Sequence, residues 1–159
     1  MLAEILGDLQ NLPWVAALRA SRWVYPLVNT GHILGLALVF GAIIPLDLRM
    51  LGLWSSIPLR TVSTVLVPVA LTGLILTVVT GALLFAVRAE KYAALGIFQL
   101  KLLFVFGAVA NALLLHTSAA WAGAQDRQGE MPRRLRVAAL LSMTLWTAAI
   151  ICGRMIGYM

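Results

Sequence analysis

The sequence predicts an all-α integral membrane protein: an up-down-up-down four-helix bundle preceded by a short N-terminal interfacial helix. Three observations carry that reading. Apolar residues make up 62% of the 159-residue chain and charged residues 11%, against about 45–50% and about 25% in soluble domains. Four apolar runs reach the roughly twenty residues that a membrane-spanning helix needs. The charged residues stand mostly at the ends of those runs. A soluble domain of this size keeps roughly a third of its potential surface wet, and this chain has too few polar side chains to cover it. The mean hydropathy of +0.96 agrees.

The same composition excludes several classes. The net charge of +6 and a pI near 10.5 could suggest nucleic acid. The basic residues border apolar runs, however, so they read as headgroup contacts and topology signals, with no nucleic-acid partner. The single cysteine, Cys152, excludes a disulfide framework or a thiolate cluster within one chain. The start of the chain carries Glu4 and Asp8 and is interrupted by Pro13, which argues against a cleaved signal. No P-loop, HExxH, catalytic triad or dinucleotide fingerprint is present. Any redox chemistry would have to be carried by a cofactor.

Residues 1–21 are too short to span. Leu2, Ile5, Leu6, Leu9 and Leu12 recur at helical spacing beside Glu4, Asp8 and Arg19, as in an amphipathic helix lying in the membrane interface. Residues 22–159 form the transmembrane domain. Its first span covers about 23–44 and stops at Pro45, since proline lacks the N–H that would continue the helix. The others cover about 65–87, 97–119 and 137–158. Short connections make neighbours antiparallel. Arg49, Arg60, Arg127, Arg133, Arg134 and Arg136 lie on one side, and Arg19, Arg22, Arg88 and Lys91 on the other. The six-to-four bias puts the first side in the cytoplasm of a bacterial inner membrane, with both termini periplasmic.

Polar residues inside a span are costly and therefore candidates for function. His32 lies roughly 15 Å deep at about 1.5 Å per residue, with Tyr25 and Asn29 on the same face. A neutral imidazole there suits a haem iron or a soft metal; otherwise it makes an interhelical hydrogen bond. Lys101 in the third span and Arg154 in the fourth sit at matched depth near one border, about 8 Å shallower than His32. That offset resembles the distance from a haem iron to its propionates, so His32 is the candidate axial ligand and the two cations the candidate propionate partners. Snorkelling to the interface is the alternative for Lys101. His116 is a second candidate metal ligand, although helix counting separates the two imidazoles by roughly 13 Å in height. Without a metal, His116 is an interfacial residue beside Thr117 and Ser118.

In the second span Gly73, Thr77 and Thr80 share a face, with Thr72 and Gly81 beside them. Such a stripe admits a neighbouring helix or a flat macrocycle. Met143, Cys152 and Met155 in the fourth span are soft enough for monovalent copper, or fill apolar gaps.

The order of these features resembles a known group. It runs Val28-Asn29-Thr30-Gly31-His32-Ile33-Leu34, then Leu46-Asp47-Leu48-Arg49-Met50-Leu51. The Thr-Gly stripe follows, then Phe98-Gln99-Leu100-Lys101-Leu102-Leu103 and Gly153-Arg154-Met155-Ile156-Gly157-Tyr158. This resembles the small four-helix HemJ-type protoporphyrinogen oxidases and the membrane domain of CopD-type copper proteins. It is most similar to an uncharacterised bacterial group with the same Gly-Arg-x-Ile-x-Tyr ending. The resemblance covers about residues 25–158. It implies haem b, an essential histidine at His32, a functional lysine at Lys101, and electrons passed to the respiratory chain. Phe98 or Ile97 replaces the tryptophan usual before the lysine, and the ending is not a HemJ feature, so porphyrinogen is not carried over as substrate.

The expected function is therefore electron transfer or haem-linked oxidoreduction in contact with membrane lipid. Quinone or a redox partner protein would be the second party, and a homo-oligomer is compatible. Copper handling, and a non-catalytic helper subunit whose polar residues only fix helix packing, are the alternatives.

Overall fold

The structure, a computed structural model, describes residues 1–158 and all their side chains except those of Leu2 and Ala3. Among the described residues it is all helical. The elements are α1 (Leu2–Asn11), α2 (Pro13–Ala20), α3 (Val24–Leu51), α4 (Leu59–Val87), α5 (Ala89–Ala94), α6 (Gly96–His116), α7 (Ala119–Ala122) and α8 (Arg133–Ile156). Four of them, α3, α4, α6 and α8, are long and apolar enough to cross a membrane.

The N-terminal segment is two helices. Leu12 separates them with an extended ψ of 136°, and Pro13 opens α2 at a position where a missing N–H costs nothing. Of the predicted stripe, Leu9 packs against an apolar cluster, Ile5 and Leu12 are exposed, and the Leu2 side chain lies outside the described residues. The Ser21 hydroxyl accepts the Val24 N–H at 3.0 Å and starts α3.

The expected stop at Pro45 does not occur, because α3 runs on to Leu51 with Pro45 inside it. The second span likewise begins at Leu59, six residues early, and holds Pro68. A proline removes one backbone hydrogen bond and presses its ring on the carbonyl four residues back. For Pro45 that residue is Gly41, whose Cβ position has nothing within 4 Å. In an apolar medium, unwinding the last turns would free more backbone groups than the proline does, so the helix continues. Asp47 and Arg49 therefore belong to α3. At its far end α6 stops at His116, where Ser118 breaks off to accept the Trp121 N–H at 3.2 Å and cap α7.

The chain divides into two compact units, residues 1–39 with 71–96, and residues 40–70 with 97–159. In the first, Val15 and Leu18 of α2 cluster with Ala86 and Val87 of α4, and Tyr25, Val28 and Leu83 pack around them. In the second, Leu46, Met50, Leu59, Leu115, Met131 and Leu135 form the core. There the Asn111 amide donates to the Ala138 carbonyl at 3.0 Å, joining α6 to α8.

Candidate functional site

His32 in α3 is held by α4. Its Nδ1 lies 3.0 Å from the Thr77 carbonyl and 3.1 Å from Thr80 Oγ1. A carbonyl only accepts, and the Thr80 hydroxyl already donates to the Leu76 carbonyl at 2.6 Å. Nδ1 must therefore carry the proton and share it between the two oxygens. In a neutral ring with that tautomer the lone pair is on Nε2. Gly81 makes the arrangement possible, since a Cβ there would stand 3.0 Å from His32 Cε1 and 3.4 Å from Nδ1. Thus Thr77, Thr80 and Gly81, which the sequence presents as a packing stripe, form the seat of the imidazole.

Tyr25 and Asn29, the two residues expected on the face of His32, lie in different surroundings. Tyr25 packs into the apolar cluster of α2 and α4, and Asn29 is exposed. Outside the spans in the same unit, burial raises the Tyr92 phenol above its ordinary value, and the nearby Tyr25 adds to this.

Lys101, Arg154 and His116 belong to the second unit. The Lys101 stem and ammonium lie 3.4–3.7 Å from where a Cβ of Gly153 would be, so α6 meets α8 one residue before Arg154. Arg154 donates to the Tyr158 hydroxyl at 2.7 Å, and its guanidinium covers that ring at 4.8 Å. The exposed Arg154 is thereby oriented by the last turn of the chain. Of the soft side chains, Cys152 is buried and Met155 exposed. Met143 lies nine residues from Cys152, about 13 Å along α8, too far to share one ion. Among the described residues no group of three or more His, Cys, Asp or Glu side chains could hold a metal.

His116 donates from Nδ1 to the Ala112 carbonyl at 2.9 Å. Its Nε2 is buried with no hydrogen-bond partner among the described residues. The ring meets Trp121 edge to face at 4.2 Å. Together with Ser63, Thr64, Val67 and Pro68 these two rings line a groove of about 280 Å³. Of its lining only His116 stood out in the sequence, because Ser63 and Thr64 precede the expected start of the second span and Trp121 follows the third.

Two more polar residues organise the second unit. Arg49 is fully buried. Its Nε donates to the Ile57 carbonyl at 2.7 Å, and its Nη2 to the carbonyls of Ser55 at 3.3 Å and Arg127 at 3.2 Å. Asp47, 2% exposed, takes a hydrogen bond from Ser142, while its Oδ2 has no partner among the described residues. At the surface, Arg60 binds Asp126 through two hydrogen bonds of 2.7 and 3.0 Å. Those bonds hold the Asp126 carboxyl below its ordinary value.

No family model matches this chain, and neither the curated proteins nor the solved structures contain a match.

Proposed function

We propose that the protein is a multi-pass bacterial inner-membrane protein that binds one haem b through His32 and serves electron transfer or haem-linked oxidoreduction. The observation that carries this reading is the tautomer of His32. An imidazole that ligates a metal through one nitrogen almost always donates its other N–H to a carbonyl or similar oxygen, which fixes the ring and raises its basicity. His32 Nδ1 makes that donation to Thr77, reinforced by Thr80. The haem would supply one-electron redox chemistry. Lys101 and Arg154 would meet its propionate carboxylates, Lys101 as a point charge and Arg154 as a planar fork already turned by Tyr158. Quinone or a partner protein would complete the electron path. The arginine-rich loops at 127–136 would face the cytoplasm, and α1 would lie in the opposite interface.

An oxidised-minus-dithionite-reduced visible spectrum of the detergent-purified protein tests this. Sharp reduced bands of a low-spin b-type haem are expected in the unaltered chain, with loss of colour in His32→Ala. A flat spectrum after expression with ample haem would sink the assignment.

A second reading, a helper subunit without cofactor, draws on the packing around His32. Gly35 and Gly73 bring α3 and α4 so close that a Cβ on either would stand within 2.8 Å of the other helix's backbone. In that reading the imidazole is only one more clamp between the two helices. It predicts a colourless protein that co-purifies with a stable partner. Copper handling would instead give a colourless protein with stoichiometric monovalent metal.

A further inference from the structure

Between α6 and α8 runs a narrow groove of about 190 Å³. Leu115 and Ala138, both buried, form its floor, and the Asn111 amide closes that floor by donating to the Ala138 carbonyl. Leu114, Val137 and Leu141 complete the walls and are 68%, 55% and 46% exposed, so the groove opens where lipid is expected. From Arg134 to Leu141 it follows α8 for about 10 Å, two-thirds of one leaflet in a hydrocarbon core roughly 30 Å thick.

A cation marks its outer end. Arg134 lines the groove and stands just before Val137, where the apolar part of α8 begins, which is headgroup depth. Among the described residues Arg134 makes no ion pair. Of the two acids in the preceding loop, Asp126 is paired with Arg60, and Glu130 lines a separate cleft with Arg136. The first turn of α8 carries no acidic residue of its own. The complementary occupant is therefore apolar along most of its length and anionic at one end.

The same features separate the alternatives. A helix measures about 10–12 Å across with its side chains, too thick for a groove of this volume. Membrane helix interfaces are also built on small residues, and here Ala138 is the single small one. A free anion would leave the apolar walls uncovered. A zwitterionic headgroup would bring a second cation to a place where Arg133, Arg134 and Arg136 already crowd together.

We propose that this groove holds one acyl chain of an anionic phospholipid of the phosphatidylglycerol class, whose phosphate pairs with Arg134. The site involves none of the residues around His32 and stands whether or not that histidine holds a haem.

The test is native mass spectrometry of the detergent-purified full chain, titrated with dioleoyl-phosphatidylglycerol and dioleoyl-phosphatidylcholine, which share their acyl chains. The first bound lipid should be phosphatidylglycerol by about fivefold, the worth of one arginine near an anionic surface. Arg134→Gln should bring that ratio close to one. Arg133→Gln, on the same turn but outside the groove, should leave most of it. Both arginines are exposed, so neither exchange endangers folding. Ala138→Leu fills the floor and should weaken binding of both lipids severalfold. Equal binding of the two lipids would overturn the proposal, as would an unchanged affinity in Ala138→Leu. Equal effects of the two arginine exchanges would also overturn it, by showing diffuse attraction to the whole cluster. Suppression of the lipid adduct by millimolar inorganic phosphate would identify a free anion as the ligand, and a lipid-free dimer would identify a second copy as the occupant; either result overturns it.

Discussion

Gly35 and Gly73 bring α3 and α4 together backbone to backbone in the first unit, whereas in the second unit a single guanidinium, Arg49, ties the end of α3 to loop carbonyls at 55, 57 and 127. The first contact works by leaving side chains out. Within hydrocarbon there is no hydrophobic drive between helices, so close van der Waals contact and a few polar links hold them. The second works by bringing a long side chain in. Where the chain leaves helical geometry, its carbonyls need donors that lipid cannot offer, and the Nε and Nη2 groups of one planar head supply them. The same helix is thus held in two ways along its length, by shape in one unit and by hydrogen bonds in the other.

The sharpest way to break this contrast is Arg49→Met. It keeps an unbranched stem but strands the carbonyls of Ile57 and Arg127, that of Ser55 still accepting from the Gly129 N–H at 2.9 Å, so a loss of about 2–3 kcal/mol is expected. Thermal unfolding in detergent reads the loss, and limited proteolysis should show both loops becoming cleavable. If Arg49→Met melts like the parent, the guanidinium is not what holds the second unit.

Next comes Gly35→Ala, whose Cβ would stand 2.5 Å from Thr77 Oγ1 and 2.8 Å from the Thr77 nitrogen. Overpacking of this kind costs about 1–3 kcal/mol. Gly73→Ala should cost a similar amount, its Cβ falling 2.7 Å from Leu38 Cβ and 2.8 Å from the Gly35 carbonyl. Once one alanine has pushed the helices apart, the second meets less resistance, so the double variant should fall short of the sum. Strict additivity would mean that the two glycines do not share one seam.

Thr80→Val is a smaller change. It removes one of the two oxygens that receive the His32 proton and leaves Thr77, with an expected loss of about 0.6 kcal/mol, typical of such links in membranes. The smallest effect belongs to the exposed Arg60–Asp126 pair. Its carboxyl is held below the ordinary 3.8, so the pair's contribution is present above that value and disappears as pH falls through the lowered one. Melting temperature should therefore decline slightly faster below about pH 4 in the parent than in Asp126→Asn.

Much of the fold was legible in the residue order, because length and apolarity decide whether a helix can span. The helix ends were not. Pro45 reads as a stop by the rules of water, where freed carbonyls are solvated, but α3 passes through it because lipid makes stopping dearer than continuing. The site was legible in pieces. His32 stood out as an ionisable group at depth, and Thr77, Thr80 and Gly81 as a stripe of small residues. Their meeting depends on the axial register of α3 against α4, which composition does not encode. The His116 groove was hidden for a related reason. Two of its walls come from the first turns of α4, which look like loop, and a third from α7, four residues long.

The seat of Arg49 also imposes an order on synthesis. The carbonyls of Ser55 and Ile57 leave the ribosome almost at once after the arginine, but that of Arg127 comes seventy-eight residues later. At roughly 5–20 residues per second, the guanidinium waits about 4–16 s for its last acceptor. During that interval α4, α6 and α7 are made while only the first two acceptors are available. The arginine's seat is therefore a late latch, completed only when the loop after α7 has been made.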